Sequence, residues 1–268
     1  MIFKISAFLL KDFRLKKSYR FAFLWGIFSA VFSLLIFYYI DLLMGRRITG
    51  LLASYGINYF SYVFLGIIIF NFTGAGPGTI AQKVSEEKIC GALEETLSLK
   101  ENILPFLFSA ALYNFLLSMA EAAVYLAAGF FLFGVDFSRV NFLSLSAIML
   151  LSFFSFSALG ILSSCFILLF KRGNPLAFLL NSAEGFLGGA YFPAAILPFG
   201  LYKLSWFLPV YWSIRAAQKA FYGAAGLEDI AVELAVLAVF SLVLVPISFF
   251  AFKIASSRAR RAGSLNHF

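Results

Sequence analysis

The chain has 268 residues, of which 62% are hydrophobic and 13% are charged, against roughly 25% charged in an ordinary soluble domain. Continuous uncharged runs of about 18 or more residues indicate helices that span a membrane and exclude a typical soluble enzyme. The formal net charge of +8 agrees with basic residues that orient the spans rather than with nucleic-acid binding. We therefore expect an all-α membrane protein with one transmembrane domain, residues 1–268, and no nucleic-acid partner.

Residues 1–20 are predicted to form a basic amphipathic helix that lies in the plane of the lipid headgroups. Apolar residues recur there at helical spacing along one side, and basic residues fall on another. The apolar positions are Ile2, Ile5, Leu9 and Phe13, and the basic ones include Lys4, Lys11 and Arg14. The alternative is a plain positively charged anchor.

Six spans are predicted, of which the first two are residues 21–40 and approximately 56–79. The first contains no charge. The second finishes in the sequence NFTGAGPGT, whose glycines and proline predict a bend or an unwound end.

The third span is predicted from residue 103 to 134 and is interrupted only by Glu121, and the fourth lies within 142–170. An irregular fifth apolar region, 176–191, is followed by a proline-rich aromatic stretch. Because proline prevents one continuous helix, residues 188–212 are predicted to form a re-entrant outer segment. The alternative is a fifth span with an ordinary interfacial loop. The last span is predicted at 230–252.

The distribution of basic residues predicts the orientation of the chain. If both termini are cytoplasmic, 15 of the 21 lysines and arginines lie on the inner side. We therefore expect a multi-pass protein of the plasma or inner membrane with both termini in the cytoplasm.

The sequence SEEKICGALEETLSLK, residues 85–100, is a charged segment within this hydrophobic chain. Ser85 is a suitable N-cap, and acidic residues occupy the first turn, where the helix dipole favours them. Residues 85–99 are therefore predicted to form a short cytoplasmic helix with an acidic face. Anionic lipid repels such a helix, which indicates a protein partner. The alternative is a solvated helix without a partner.

The stretch SEEKICGALEETLSLKENILPF resembles the cytoplasmic segment of type-2 ABC exporter permeases, in particular their drug-export branch. Ala92 stands where that family more often has Thr. Residues 188–212 also resemble the family's outer segment, and the basic N-terminal helix matches as well. The positions that carry the cytoplasmic resemblance are Glu87, Lys88, Gly91, Leu93, Glu94 and Leu97.

This resemblance implies a permease homodimer that docks on two copies of an ABC ATP-binding subunit through a coupling helix, residues 85–99. It implies export of a hydrophobic or amphipathic substrate, with a polysaccharide or lipid-linked glycan as the alternative. The sequence has no Gly-x-x-x-x-Gly-Lys-(Ser/Thr) loop, so we expect no enzyme activity in this chain and no directly bound cofactor, with ATP and Mg held by the partner. The expected contacts to the ATP-binding subunit are Glu86, Glu87, Lys88, Gly91, Leu93, Glu94, Glu95 and Leu97.

Glu121, Asn181 and Glu184 are the candidate residues of a translocation path. Ionisable groups within spans are costly and are expected to face the bundle interior or a water-filled cavity. A structural hydrogen bond is the alternative role for each. A second class of function, an ion-coupled secondary transporter, would use Glu121 and Glu184 as proton sites. We find no nucleophile–His–acid set and no metal-ligand cluster in the sequence, which argues against an intramembrane enzyme; a non-transporting membrane scaffold is the remaining alternative.

Overall fold

The computed structural model describes residues 20–45, 52, 56–89, 91, 103–169 and 175–261. These residues form helices joined by short connections, and no strand occurs among them. The helices are α1 (Arg20–Leu43), α2 (Tyr59–Ile89), α3 (Ile103–Phe133), α4 (Phe142–Leu169), α5 (Pro175–Leu187), α6 (Tyr202–Ser205), α7 (Pro209–Tyr222) and α8 (Ala231–Arg261).

Four of these helices, α2, α3, α4 and α8, are long and apolar enough to cross a membrane. Helix α1 has 24 residues, and residues 21–40 within it carry no charge. The prediction of an all-α membrane protein is confirmed, and α3 and α4 begin and end within a residue or two of their predicted bounds. The count of six spans remains a prediction.

Helix α2 is the central element of the bundle. It packs against α1, α3, α4, α5 and α7. Of its most apolar stretch 67% is buried, against 17% for α3 and α8, so α2 is the span most enclosed by protein. Phe60 and Phe64 of α2 join Phe156 of α4 and Phe221 of α7 in one hydrophobic cluster, which fixes the surrounding helices on α2.

The expected unwound end of the second span near residue 79 is absent, because α2 continues as one helix from Tyr59 to Ile89. The predicted N-cap, Ser85, lies inside this helix. Packing explains the difference: Ile80 and Val84 are fully buried, so the apolar face continues past the glycines and Pro77. Neighbouring helices commonly compensate for a proline within a membrane helix.

Helices α4 and α8 form the most extensive helix pair. Serine hydroxyls bridge them, with Ser155 Oγ 2.9 Å from Ser241 Oγ, and Ser241 also donates to the carbonyl of Leu151 at 3.0 Å. Small hydroxyl side chains let two helices approach closely while satisfying their own polar atoms. Helix α8 continues through Pro246 to Arg261, well past the predicted end at residue 252.

Residues 188–208 form an irregular connection between two short helices, α5 and α7. The connection holds two 3-10 turns, Ala194–Ile196 and Pro198–Gly200, and the four-residue helix α6. Helices of 13 and 14 residues measure about 20 Å, less than the ~30 Å of a hydrocarbon core. Two helices too short to cross the membrane, joined by an irregular connection, agree with a re-entrant segment. The position of this segment in the bilayer remains a prediction. The predicted in-plane helix 1–20 lies outside the described residues, apart from Arg20.

Candidate functional site

Glu184 is a buried carboxyl group on α5. Its side chain is 0% exposed, and neither carboxyl oxygen has a hydrogen-bond partner among the described residues. Its backbone carbonyl accepts the Gly188 N–H at 2.9 Å, which closes the end of α5. Burial of a carboxyl group without a partner is unfavourable, so the group calls for a proton, a water or a ligand.

Asn181 lies one turn before Glu184 and faces the glycines of α2. A Cβ atom built on Gly74 would lie 3.9 Å from Asn181 Oδ1, and one on Gly78 would lie 3.8 Å from Nδ2. Asn181 Oδ1 is buried and has no hydrogen-bond partner within the described part of the chain. The glycines that predicted a bend thus make room for a polar side chain, and α5 brings two predicted path residues together against α2.

The segment after α5 is held firmly on the start of α2. Gly66 touches the backbone carbonyl of Ala190, where a larger residue would not fit. Tyr62 donates its hydroxyl to the carbonyl of Gly189 at 2.8 Å. Gly189 has a φ of 82°, a left-handed conformation that glycine adopts readily. These contacts fix where α5 ends and therefore where Glu184 lies.

Glu121 was expected to face the bundle interior or a water-filled cavity; in the single chain its side chain is exposed on the surface of α3. It interacts electrostatically with Tyr125, one turn along the helix. Asn71 of α2 donates to the Tyr125 hydroxyl at 3.1 Å. In the single chain Glu121 thus lies on an outer face, whereas Glu184 is buried and Asn181 is half-buried with its Oδ1 inside.

The predicted coupling residues at the end of α2 divide into two groups. Lys88 is 7% exposed and donates from Nζ to the carbonyl of Ile167 at 3.2 Å, and Glu87 is also buried. Glu86 and Gly91 are exposed, and Glu86 accepts a bond from Gln82 at 2.9 Å. The remaining predicted contacts, Leu93, Glu94, Glu95 and Leu97, lie outside the described residues.

A polar cluster on α7 was not predicted as a site from the sequence. Arg215 Nε and Lys219 Nζ lie 3.0 and 2.8 Å from the same oxygen, Oε1, of Glu233 on α8. Polar residues at 211, 215, 218 and 222 follow the helical period along one face of α7, and that signal would have found the cluster.

Metal binding finds no support among the described residues, since no group of three or more His, Cys, Asp or Glu side chains is close enough to hold an ion. The arrangement offers polar groups buried between apolar helices, as in sites that bind a solute within a membrane protein.

The long apolar helices and the continuous hydrophobic core define a helical integral membrane protein. Residues 4–222 match the family model described as ABC-2 type transporter. The match covers most of the chain, which therefore belongs to the ABC-2 type transporter family and is the permease component of an ABC transporter. A comparison with curated proteins gives no match.

Proposed function

We propose that this chain is the permease subunit of an ATP-driven exporter, which pairs with a second copy of itself and with two copies of an ABC ATP-binding subunit. Family membership supports the transport role. In this proposal ATP and Mg are bound by the partner, and both termini lie in the cytoplasm at the plasma or inner membrane.

The continuity of α2 is the observation that carries the coupling mechanism. Its 31 residues measure about 46 Å, whereas the hydrocarbon core is about 30 Å thick. The charged end, residues 83–89, therefore extends beyond the apolar layer as part of the same helix. A force applied just after Ile89 would move a helix that contacts five others, so displacement of the segment by an ATPase would reach the whole bundle.

The buried positions of Glu87 and Lys88 narrow the proposed docking surface. These two side chains pack within the chain, where Lys88 holds the end of α4. We assign to them the role of fixing the coupling segment to the bundle. The contact with the ATP-binding subunit is then made by Glu86, Gly91 and the residues that follow, Leu93, Glu94, Glu95 and Leu97.

The proposed path runs beside Asn181 and Glu184 on α5. The Asn181 amide lies beside the glycine-bearing face of α2, one turn from the buried Glu184 carboxyl, so a moving α2 would open or close this polar contact. A hydrophobic or amphipathic substrate suits a site with few polar groups in apolar surroundings. A polysaccharide or lipid-linked glycan is the alternative substrate class.

A second candidate function, ion-coupled secondary transport, is favoured by one observation, the unpartnered buried carboxyl of Glu184. Such a group suits a proton carrier within a membrane. The exposed position of Glu121 on α3 does not support its role as the second proton site in a single chain.

The proposal is tested by co-purification and by coupled ATPase activity. The tagged chain is isolated from native membranes in mild detergent, and a stoichiometric partner with a phosphate-binding loop is expected. In the reconstituted complex, Glu94→Lys should abolish the stimulation of ATP hydrolysis by the permease. The matched control is Glu228→Lys, which makes the same charge change at an exposed position on the other end of the bundle. Normal stimulation in Glu94→Lys would contradict the docking proposal, and transport driven by a proton gradient without ATP would favour the second candidate.

A further inference from the structure

A cavity of about 790 Å³ lies between α7, the segment after α5 and the loop that leads to α8. Neither Asn181 nor Glu184 contributes to its lining, so it is separate from the proposed path site. The cavity lies at the end of the bundle where α2 and α8 begin, opposite the charged end of α2, residues 83–89. Its polar lining includes Tyr62, Arg215, Gln218, Lys219 and Asp229.

The two basic side chains of the cavity are paired with a carboxylate that lies outside the cavity lining. Arg215 and Lys219 share one oxygen of Glu233, and that carboxylate is 1% exposed and does not line the cavity. The cationic side chains are 41% and 34% exposed, so they remain accessible on the cavity side. The one acidic residue of the lining, Asp229, accepts the Gly226 N–H at 2.8 Å. With Glu233 included, two cations stand against two carboxylates, so an anion would be held by local contacts with the exposed sides of Arg215 and Lys219 rather than by a net positive charge.

Gln218 provides an independent indication of a ligand. It lies between the two cations on α7, lines the cavity and is 2% exposed. Its Nε2 is buried and has no hydrogen-bond partner among the described residues. Buried amide groups are almost always paired, and because Gln218 lines the cavity, an anion bound there could pair with this donor after a small rotation of the amide.

We propose that the cavity is an anion-binding site for a phosphate or carboxylate group. Arg215 and Lys219 supply the charge, and the Gln218 amide donates a directional hydrogen bond to the anion. The cavity volume is in the range of sites for whole small molecules, so there is room for a larger group attached to the anion. The anion is either free or the headgroup of an amphiphile. This inference rests on the contacts of α7 and not on the proposed exporter function.

Trp212 offers a direct reporter for the test. The Arg215 guanidinium lies over its ring at 5.9 Å, and its Nε1 donates to the Trp206 carbonyl at 2.9 Å. Since the chain has three tryptophans, the Trp25→Phe, Trp206→Phe variant leaves Trp212 as the only one. An anion that draws the guanidinium away should change the Trp212 emission. The full chain in detergent is titrated with inorganic phosphate, with a short-chain phosphatidic acid and with the diacylglycerol of the same chain length.

A saturable change with inorganic phosphate would support a free anion as the occupant, and a change with phosphatidic acid alone would support an amphiphile headgroup. Arg215→Gln and Gln218→Leu should each weaken the binding about tenfold or more, because a charge-assisted or otherwise unpaired buried donor is lost. Glu233→Gln should tighten it roughly threefold, because the competing carboxylate is removed. Arg258→Gln, which removes an exposed charge near the far end of α8, is the matched control and should bind normally.

Several outcomes would overturn the proposal. They are no saturable response to either anion, binding of diacylglycerol as tight as that of phosphatidic acid, or unchanged affinity in both Arg215→Gln and Gln218→Leu. If neither anion changes the Trp212 emission, the partner of the Gln218 amide would be an ordered water instead. If Arg215→Gln does not fold, Lys219→Gln replaces it with the same expected loss.

Discussion

Two buried glutamates of this protein have opposite surroundings. Glu233 on α8 is 1% exposed and binds Arg215 and Lys219 through one oxygen, whereas Glu184 on α5 is 0% exposed and has no hydrogen-bond partner among the described residues. The degree of burial is the same, so burial alone does not determine the role of an acidic side chain. A paired carboxylate stabilises the fold around it, whereas an unpaired buried one lowers the free energy of unfolding, and such a group is more often functional.

The largest expected effect comes from the contact that places Glu184. Gly66→Ala should lower the free energy of unfolding by about 3 kcal/mol, because the new methyl group meets the backbone carbonyl of Ala190. Gly74→Ala on the same helix is the matched control, since its methyl group would meet only Asn181 at an ordinary distance. Thermal unfolding in detergent measures both. Equal stability of the two variants would show that this contact does not fix the segment after α5.

The second prediction breaks the paired glutamate. Glu233→Ala should reduce the free energy of unfolding by about 2 kcal/mol, since two cations lose a shared partner. The cost is smaller than that of a fully buried pair because water partly solvates both cations. Chemical denaturation of the purified chain checks this value. A variant as stable as the parent would mean that Glu233 contributes nothing beyond its volume.

The third prediction concerns the unpaired glutamate and has the opposite sign. Glu184→Gln should stabilise the chain by about 1 kcal/mol, because a buried carboxyl group without a partner is replaced by a neutral amide of the same shape. The same variant should reduce transport in proteoliposomes. A loss of stability together with transport would instead assign Glu184 a structural hydrogen bond.

The smallest expected effect is at the exposed glutamate of α3. Glu121→Gln should change the free energy of unfolding by less than about 0.5 kcal/mol, as is usual for surface positions. A matched measurement of transport distinguishes its roles. Reduced transport with unchanged stability would place Glu121 on a path formed with a second copy of the chain, and a large loss of stability would contradict its exposed position.

The spans that were predicted well are those with long uncharged runs, because length and apolarity alone determine them. The unwound end predicted for α2 from its glycines and proline does not occur. The sequence pattern does not show that Asn181 of a neighbouring helix packs beside Gly74 and Gly78. Glu121 is exposed in the single chain, and whether it faces a water-filled cavity formed with a second copy stays a prediction, because hydropathy does not reveal which face of a helix meets other helices. The burial of the Glu184 carboxyl and of the Asn181 Oδ1 atom agrees with their position in an apolar segment.

The cavity beside α7 could not be predicted from the sequence, for a physical reason. A sequence shows that Arg215 and Lys219 are one turn apart, but their shared partner Glu233 belongs to another helix. Such pairing depends on the tertiary arrangement.

The unbroken α2 also has a consequence for cooperativity. Tyr62 holds Gly189 near one end of this helix and Lys88 holds Ile167 near the other, about 39 Å away. Local opening of either end therefore strains the same continuous ladder of backbone hydrogen bonds. Amide hydrogen exchange should then show α2 as one protected unit, in which the two membrane faces of the protein open together.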